Sequence, residues 1–295
     1  MAITLAEYAK KNPRSFDTSV RSVIGEATPF LEKLRFITIA GSSYKFNKEA
    51  TIGSVGYRAL NGTVAASNGT NTEVTLNLAH LAGLVEFDDF FNADLKNDQL
   101  NKKVRAMAFQ ANDTFFTGDG TGDSFVGLEN LVSAGQTLET GVNGGALSLG
   151  LLDEAIAQTR GTDKAFFLNQ ALFTKFQKAS RTQAIAGNVI YATDSFGKWV
   201  MTYNGIPLYM AGEDASGAQV LDFTETQGTE TAASSMYLVD FAEGIRGVQS
   251  ESMATKTIDT NFGTETSFNW NVSLADHETK GITRIEGITN ADITA

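Results

Sequence analysis

Apolar positions recur along this chain with two different periods. Leu100, Val104, Met107, Ala108, Ala111 and Phe115 return at spacings of three and four, which predicts a helix with one apolar face. Lys102, Lys103 and Arg105 fall between them, on the face left to water. At ~1.5 Å per residue, a helix from about Ala93 to Phe116 is roughly 36 Å long. Gly118 suits a left-handed C-terminal cap, so this helix should stop near Thr117. Upstream the period changes to two: Tyr44 and Phe46 alternate on one run, and Val74, Leu76 and Leu78 on another. Between those runs lie Asn61-Gly62 and Asn68-Gly69, both turn formers, so residues 41–86 read as one long β-hairpin. The period of two returns near the C-terminus, where Phe268, Trp270, Val272 and Leu274 alternate with Asn269, Asn271 and Ser273. Ile282, Ile285 and Ile288 extend the apolar character toward the end.

Residues 140–250 mix both periods and read as an α/β unit. Ser148 precedes a helix carrying Leu151, Leu152, Ala155, Ile156 and Thr159, which Gly161 should end. A strand over Ala165–Leu168 follows, and Asn169 then caps a helix carrying Leu172, Phe173, Phe176 and Ala179. Asn204-Gly205 predicts a tight hairpin, and SSMYLVDFAEGIRGVQ reads as strand, turn, strand. Residues 1–40 read as an arm. Pro13 breaks a first short helical pattern, and Ser15 or Asp17 begins a second with Val20, Ile24, Phe30, Leu31 and Leu34. Gly25 and Pro29 interrupt that stripe, so the arm should pack on its own body or on a neighbour.

Composition narrows the chemistry. With 295 residues, 42% hydrophobic, the chain is large enough for about two domains and can bury a core. It has no cysteine, which excludes disulfides, thiolate metal sites and cysteine nucleophiles, and its only histidines are His80 and His277. No apolar run reaches the ~20 residues that span a bilayer, and MAITLAEYAKKNPR lacks a signal-peptide core. The expectation is a soluble chain made in a reducing cytoplasm, with no membrane partner. Its net charge of −11 argues against a protein that coats nucleic acid. That charge is uneven: residues 1–50 carry net +3 and residues 51–295 net −14, so a basic arm can face something acidic.

Candidate sites fail on their spacing. Neither histidine sits in a nucleophile motif such as Gly-x-Ser-x-Gly. Glu86, Asp88, Asp89, Asp94 and Asp98 form an acidic run into the long helix, where its dipole favours them as a solvated entry. GDGTGD, residues 118–123, lacks the twelve-residue calcium pattern with its closing Glu, and no Gly-Lys-Ser/Thr follows it, so it reads as a turn. No catalytic, cofactor-binding or metal-binding residue is assigned, and no cofactor is expected.

The long helix running into Phe115-Phe116-Thr117-Gly118-Asp119-Gly120, closely followed by Gly127-Leu128, resembles the major capsid proteins of tailed bacteriophages. The rest follows in that family's order. ATPFLEKLRFITIAGSSYKFNKE is similar to the arm entering an extended loop. The helix, the strand ending in Leu168-Asn169 and the next helix are similar to the axial domain, as is Gly205-Ile206-Pro207-Leu208. SFNWNVSLADHETKGITRIEGI is similar to the closing strands along the spine helix. The resemblance implies an α+β chain with the Hong Kong ninety-seven phage-type capsid fold. It implies an N-terminal arm at 1–40, an extended hairpin loop at 41–86, a peripheral domain at 87–139 and 251–295 containing the spine helix, and an inserted axial domain at 140–250. It implies a non-enzymatic subunit whose main partner is itself, in pentameric and hexameric capsomers of an icosahedral shell. A portal, packaged DNA read without sequence specificity and a virion location are implied as well. The chain begins on the arm, so a scaffolding protein is expected to be separate. No lysine lies between Ala50 and Asn92, which counts against the loop-lysine cross-link of some relatives. A nanocompartment shell of the encapsulin kind is the alternative, and a tail or decoration protein a weaker one.

Overall fold

The structure is a computed structural model that describes residues 29–91, 93–181, 187, 189–193 and 199–294. A short helix α1 (Pro29–Lys33) leads into β1 (Phe36–Thr38), then the pair β2 (Ser43–Thr51) and β3 (Thr70–Asn77). Next come β4 (Ala79–Asp88), the long helix α2 (Ala93–Thr117), α3 (Leu128–Leu131) and β5 (Thr137–Glu139). The middle of the chain gives α4 (Leu149–Gln158), β6 (Lys164–Leu168), α5 (Gln170–Ala179), β7 (Val189–Thr193), β8 (Trp199–Tyr203) and β9 (Ile206–Met210). It closes with β10 (Glu225–Gln227), β11 (Glu230–Asp240), β12 (Ile245–Gln249), β13 (Ala254–Thr260), β14 (Gly263–Asp276) and β15 (Ile282–Ile288).

The first sheet is built around β14. β4 pairs along one edge of it, while β13 and then β12 pair in succession along the other, and β1 adds in parallel outside β12. The alternating Phe268, Trp270, Val272 and Leu274 are all buried on one face, and α2 lies across them. Val104 and Met107 of α2 pack on Phe268 with Leu81 and Val85, as the helical spacing requires. Gly83 lets the helix come close: a Cβ there would meet Lys103 Cε and Met107 Sδ at 3.0 Å.

The second sheet runs β5-β15-β11-β6-β9-β8-β7, with β10 on β11. β6 and β9 are parallel, as a strand–helix–strand crossover demands. Phe166 and Leu168 face α4 and α5 with Leu152, Leu172 and Phe176, whereas Ala165 and Phe167 face the end of α2. β6 is therefore buried on both sides, which is why Ala165–Leu168 reads as a continuous apolar run. The Asn169 cap forms as expected, its Oδ1 accepting from Leu172 N at 2.7 Å, and Ser148, at the expected helix start, also caps, its Oγ accepting from Leu151 N at 3.3 Å. Asn204 and Gly205, at φ 48° and 79°, make the β8–β9 turn with both residues left-handed.

Phe30 of α1 is the keystone between the sheets. Its ring lies 5.4, 5.2, 5.3 and 5.5 Å from those of Phe115, Phe116, Phe167 and Phe241. From Pro29 onward the expected arm is thus part of the core of its own body, and β1 is a strand of the first sheet. The expected arm helices over residues 1–28, with Pro13, Ser15, Asp17, Val20, Ile24 and Gly25, lie outside the described residues.

Several expectations change. The hairpin pairing ends at Asn77, not 86, because Ala79–Asp88 pairs residue for residue with β14. The closing strand β15 belongs to the second sheet and not beside α2. Ile282 fills one face of it and Ile285 and Ile288 the other, with Gly287 at φ 74° near the bulge that sets the odd spacing. β12, expected in the inserted unit, is in the first sheet, so the chain changes sheets at the turn after Asp240. Gly118 ends α2 by close approach and not by a left-handed φ: a Cβ there would meet Phe125 O at 2.4 Å and Thr114 O at 2.5 Å. α4 stops at Gln158, ahead of Gly161, where Thr159 Oγ1 bonds back to Ala155 O. Of the two Asn-Gly pairs, only Asn61 is left-handed, at φ 64°.

Candidate assembly surfaces

The hairpin β2–β3 carries its apolar side chains in two zones. Near its root Tyr44 pairs with Leu76 and Phe46 with Val74, and Tyr44 and Phe46 rest on a small cluster of Leu78, Val248 and Ala275. Beyond Thr51 and Thr70 the strands give way to an irregular tip. There Ile52, Val55, Tyr57, Leu60 and Val64 stand between 54% and 111% exposed. Among the described residues the tip is tied locally, by Ser54 N to Ser67 Oγ at 3.0 Å and Arg58 Nη1 to Gly62 O at 3.0 Å. Covering a large apolar side chain is worth roughly 1.5–3 kcal/mol, so five of them offer on the order of 10 kcal/mol to whatever covers them. Association costs about 4–15 kcal/mol, so one such contact is marginal alone and decisive when repeated.

Two further apolar patches sit at turns. Phe90 and Phe91, between β4 and α2, lie beside Phe262 in the β13–β14 turn, because Asp89 N donates to Phe262 O at 3.0 Å. Tyr191 and Trp199 form the other, on one face of the β7–β8 pair at the end of the second sheet, with Ile190 exposed on the opposite face. Phe90, Phe262 and Trp199 are at least three-quarters exposed. Soluble monomers seldom show several such patches, so this distribution suits a chain buried by other copies or partners.

Several of the polar residues singled out from the sequence have structural partners. In the 118–123 turn, Asp119 Oδ1 accepts from Thr121 N at 2.9 Å and Oδ2 from the Thr121 hydroxyl at 2.6 Å, which holds its carboxyl below the usual range. Asp98 of the acidic run pairs with Lys102 at 2.7 Å. Among the described residues no group of three His, Asp or Glu is arranged to hold a metal ion. A pocket of about 200 Å³ between β4 and α2 does bring His80, Asp123 and Ser124 to one rim. They form no relay: His80 Nδ1 is 2.6 Å from Asn271 Oδ1, and Ser124 Oγ donates to Thr121 O at 3.0 Å.

Sequence reasoning missed two buried polar nodes. Asp240 accepts from Asp163 N at 3.1 Å, Glu243 N at 2.9 Å and Gly244 N at 3.0 Å, pinning the turn where the chain changes sheets. Arg284 meets Glu225 at 3.0 Å, Glu129 at 3.4 Å and Glu286 at 3.6 Å, and burial pushes the Glu286 carboxyl up. Each joins local partners to ones far away in sequence, 77 positions for Asp163–Asp240 and 59 for Glu225–Arg284, and no local motif marks the distant ones. At the hairpin root, Lys48 pairs with Asp276 at 2.5 Å and Phe46 lies 4.5 Å from His277.

No family model matches the sequence, and no curated protein matches it. Solved structures do. One chain of the holo-SrpI encapsulin complex from Synechococcus elongatus PCC 7942 aligns at 14% identity over 91% of both chains, with a TM-score of 0.68. The capsid of a native GTA particle aligns at 13% identity over 88% of this chain and 89% of that one, with a TM-score of 0.64. The capsid of Cyanophage P-SCSP1u aligns at 12% identity over 89% of both, with a TM-score of 0.59. The α+β fold of this chain is the one these shells share, the Hong Kong ninety-seven phage-type capsid fold.

Proposed function

We propose that this chain is a structural major capsid protein that self-assembles into the icosahedral head shell of a tailed bacteriophage, enclosing double-stranded DNA. The observation that carries the reading is a fold matched over about nine-tenths of the chain, in both directions, by subunits of phage and GTA capsids. The exposed tip of the hairpin supports it, since the tip has little to do for the body it springs from. In this reading the first sheet with α2 is the peripheral domain and α2 its spine. The second sheet with α4 and α5 is the axial domain around the capsomer centre, and β2–β3 is the extended loop reaching an adjacent subunit. Pentamers and hexamers of the chain build the shell in the host cytoplasm, with a portal as a further partner. DNA lies on the inner face without sequence-specific contacts, in keeping with a net charge of −11. The chain acts through repeated contacts and not through chemistry.

One observation favours a second reading. The encapsulin chain aligns over 91% of this one with a TM-score of 0.68, so a protein-filled nanocompartment is the alternative. Electron microscopy of particles assembled from the purified chain, and of particles recovered from its natural source, tests both. Closed icosahedral shells are expected from the pure chain, and DNA-filled heads bearing a portal from the source. Nuclease-resistant DNA within the native particle separates a phage head from a protein-filled compartment. Tubes, or subunits that never close, would reject both.

A further inference from the structure

The hairpin touches its own body through a few side chains near its root. Outward of Lys48 on β2, Glu49, Ala50 and Thr51 are exposed, and on β3 so are Thr70 to Glu73. Three residues on one face of β2 make inward contacts. Lys48 Nζ lies 2.5 Å from Asp276 Oδ2, with the two side chains only 22% and 8% exposed. Tyr44 and Phe46 stack on each other at 5.6 Å and close over the His277 ring at 6.0 and 4.5 Å. His277 is held to the body by its backbone N–H, which donates to Gly244 O at 2.9 Å. Its Nε2 is buried with no hydrogen-bond partner among the described residues. A second proton on this ring would bring a charge into a place with aromatic walls and cations nearby. Those are Lys48 on β2 and Arg246 on β12, whose Nε is also buried without a partner among the described residues. The acids of the same turn are engaged: Asp276 by Lys48, and Glu278 by Arg160 at 3.6 Å.

We propose that Tyr44, Phe46 and Lys48, closed on Asp276 and His277, form a latch that fixes the angle of the hairpin to its body while His277 is neutral and frees the hairpin when His277 is protonated. The latch is a property of one subunit. Its consequence for assembly, setting when the hairpin can reach a neighbour, rests on the shell reading.

The direction of the pH effect follows from the two titrating groups. Burial, then Arg246 and Lys48, pull the His277 pKa below its ordinary 6.5. A base whose pKa is depressed in the closed state stabilises that state above its open-state value. That stability is lost as the pH falls from about 6.5 through the lower, closed value. Asp276 acts the other way. Burial raises its pKa despite Lys48, so its protonation favours closure, in a window that begins near the ordinary carboxylate value. Acid opening between pH 7.5 and 5.5 is therefore the signature of His277.

The chain has no cysteine, so Ser67→Cys on the tip and Asp259→Cys on β13 give two unique sites for dyes. Single-molecule energy transfer at picomolar concentration reads the hairpin angle in subunits too dilute to assemble. One narrow population is expected at pH 7.5. A broad second one should grow below pH 6.5, by at most about tenfold per pH unit, the limit for one proton. His277→Phe keeps a ring under Phe46 but takes no proton, and should stay narrow throughout. Lys48→Met should be broad already at pH 7.5, with circular dichroism showing the body folded. A hairpin that stays narrow at pH 5.5 in the parent would overturn the latch, as would acid opening undiminished in His277→Phe or a Lys48→Met population identical to the parent's. Opening with pH in a chain that builds no shells would leave the latch standing and reject the shell reading alone.

Discussion

Replacing Phe30 by Ala is the sharpest test of how the body is held together. The ring is fully buried and lies 5.2–5.5 Å from four other phenylalanine rings, on α2, on β6 and just after β11. Truncating a buried Phe to Ala costs about 3–5 kcal/mol in lost transfer energy and cavity. Each tilted or edge-on ring pair adds ~0.5–1.5 kcal/mol to the burial term. The five rings cannot collapse onto one another without moving both sheets, so the cost should sit near the upper end, about 5 kcal/mol. That is a third or more of the ~5–15 kcal/mol that holds a typical domain folded. The assay is urea unfolding of the unassembled subunit, followed by tryptophan emission. Trp270 is 6% exposed and packs 5.7 Å from Phe36, so it reports on the first sheet, while Trp199 is 76% exposed and changes little. Phe90→Ala is the control, since a side chain 94% exposed should cost no more than about 0.5 kcal/mol. Equal midpoints for the two variants would refute the reasoning and return residues 29–34 to a detached arm.

The other outcomes follow from the same structure. Val104→Asp puts an unpaired charge under α2 against Phe268 and should cost several kcal/mol, giving insoluble or unfolded protein, whereas Lys102→Asp loses one exposed pair and should shift the melting temperature little. Changing Val55, Tyr57 and Leu60 together to Ser should leave the melting curve unchanged and raise the concentration at which light scattering reports particles. Unchanged assembly would mean that the tip is idle. Gly161→Ala forces a Cβ to within 2.0 Å of the Asp240 carboxyl at φ 109°, so it should destabilise by more than about 2 kcal/mol in denaturant melts. Asn169→Ala removes a cap and leaves Leu221 O with one donor fewer, for a loss of roughly 1–3 kcal/mol by the same measurement.

Elements whose cause is local were legible in the sequence. The face of α2, the alternation of β14, the caps at Ser148 and Asn169 and the turn at Asn204-Gly205 each depend on residues within a few positions. The assignment of strands to sheets was not, because it depends on partners far away. β4 alternates in the same way whether it continues a hairpin or edges a sheet, and only Phe268, Trp270 and their neighbours decide. β15 looked like a companion of β14 because it follows it, yet its isoleucines match β11. Phe30 sat in a stripe broken by Pro29, and its value comes from rings 85 or more residues away in the chain. The exposed tip was legible as an oddity of composition, since Arg58 and Glu73 are the only formal charges from Thr51 to Val85. The root contacts of Lys48 and His277 were not, being 228 positions apart for the ion pair.

The aromatic core shared by the two sheets has a mechanical consequence. Trp270 and Val272 of one sheet and Phe167 and Tyr237 of the other belong to a single packed cluster, so no soft seam runs between them. Close-packed interiors compress little and pass strain on. A load applied to one sheet is carried by the whole body, which should behave as a stiff tile. In a closed container under internal pressure, compliance would then be confined to the thin hairpins and to the joints between tiles. The elastic modulus of such a container, measured by indentation, would be set by side chains such as Tyr57 and Phe262, whose apolar surface the body leaves uncovered, more than by anything in its core.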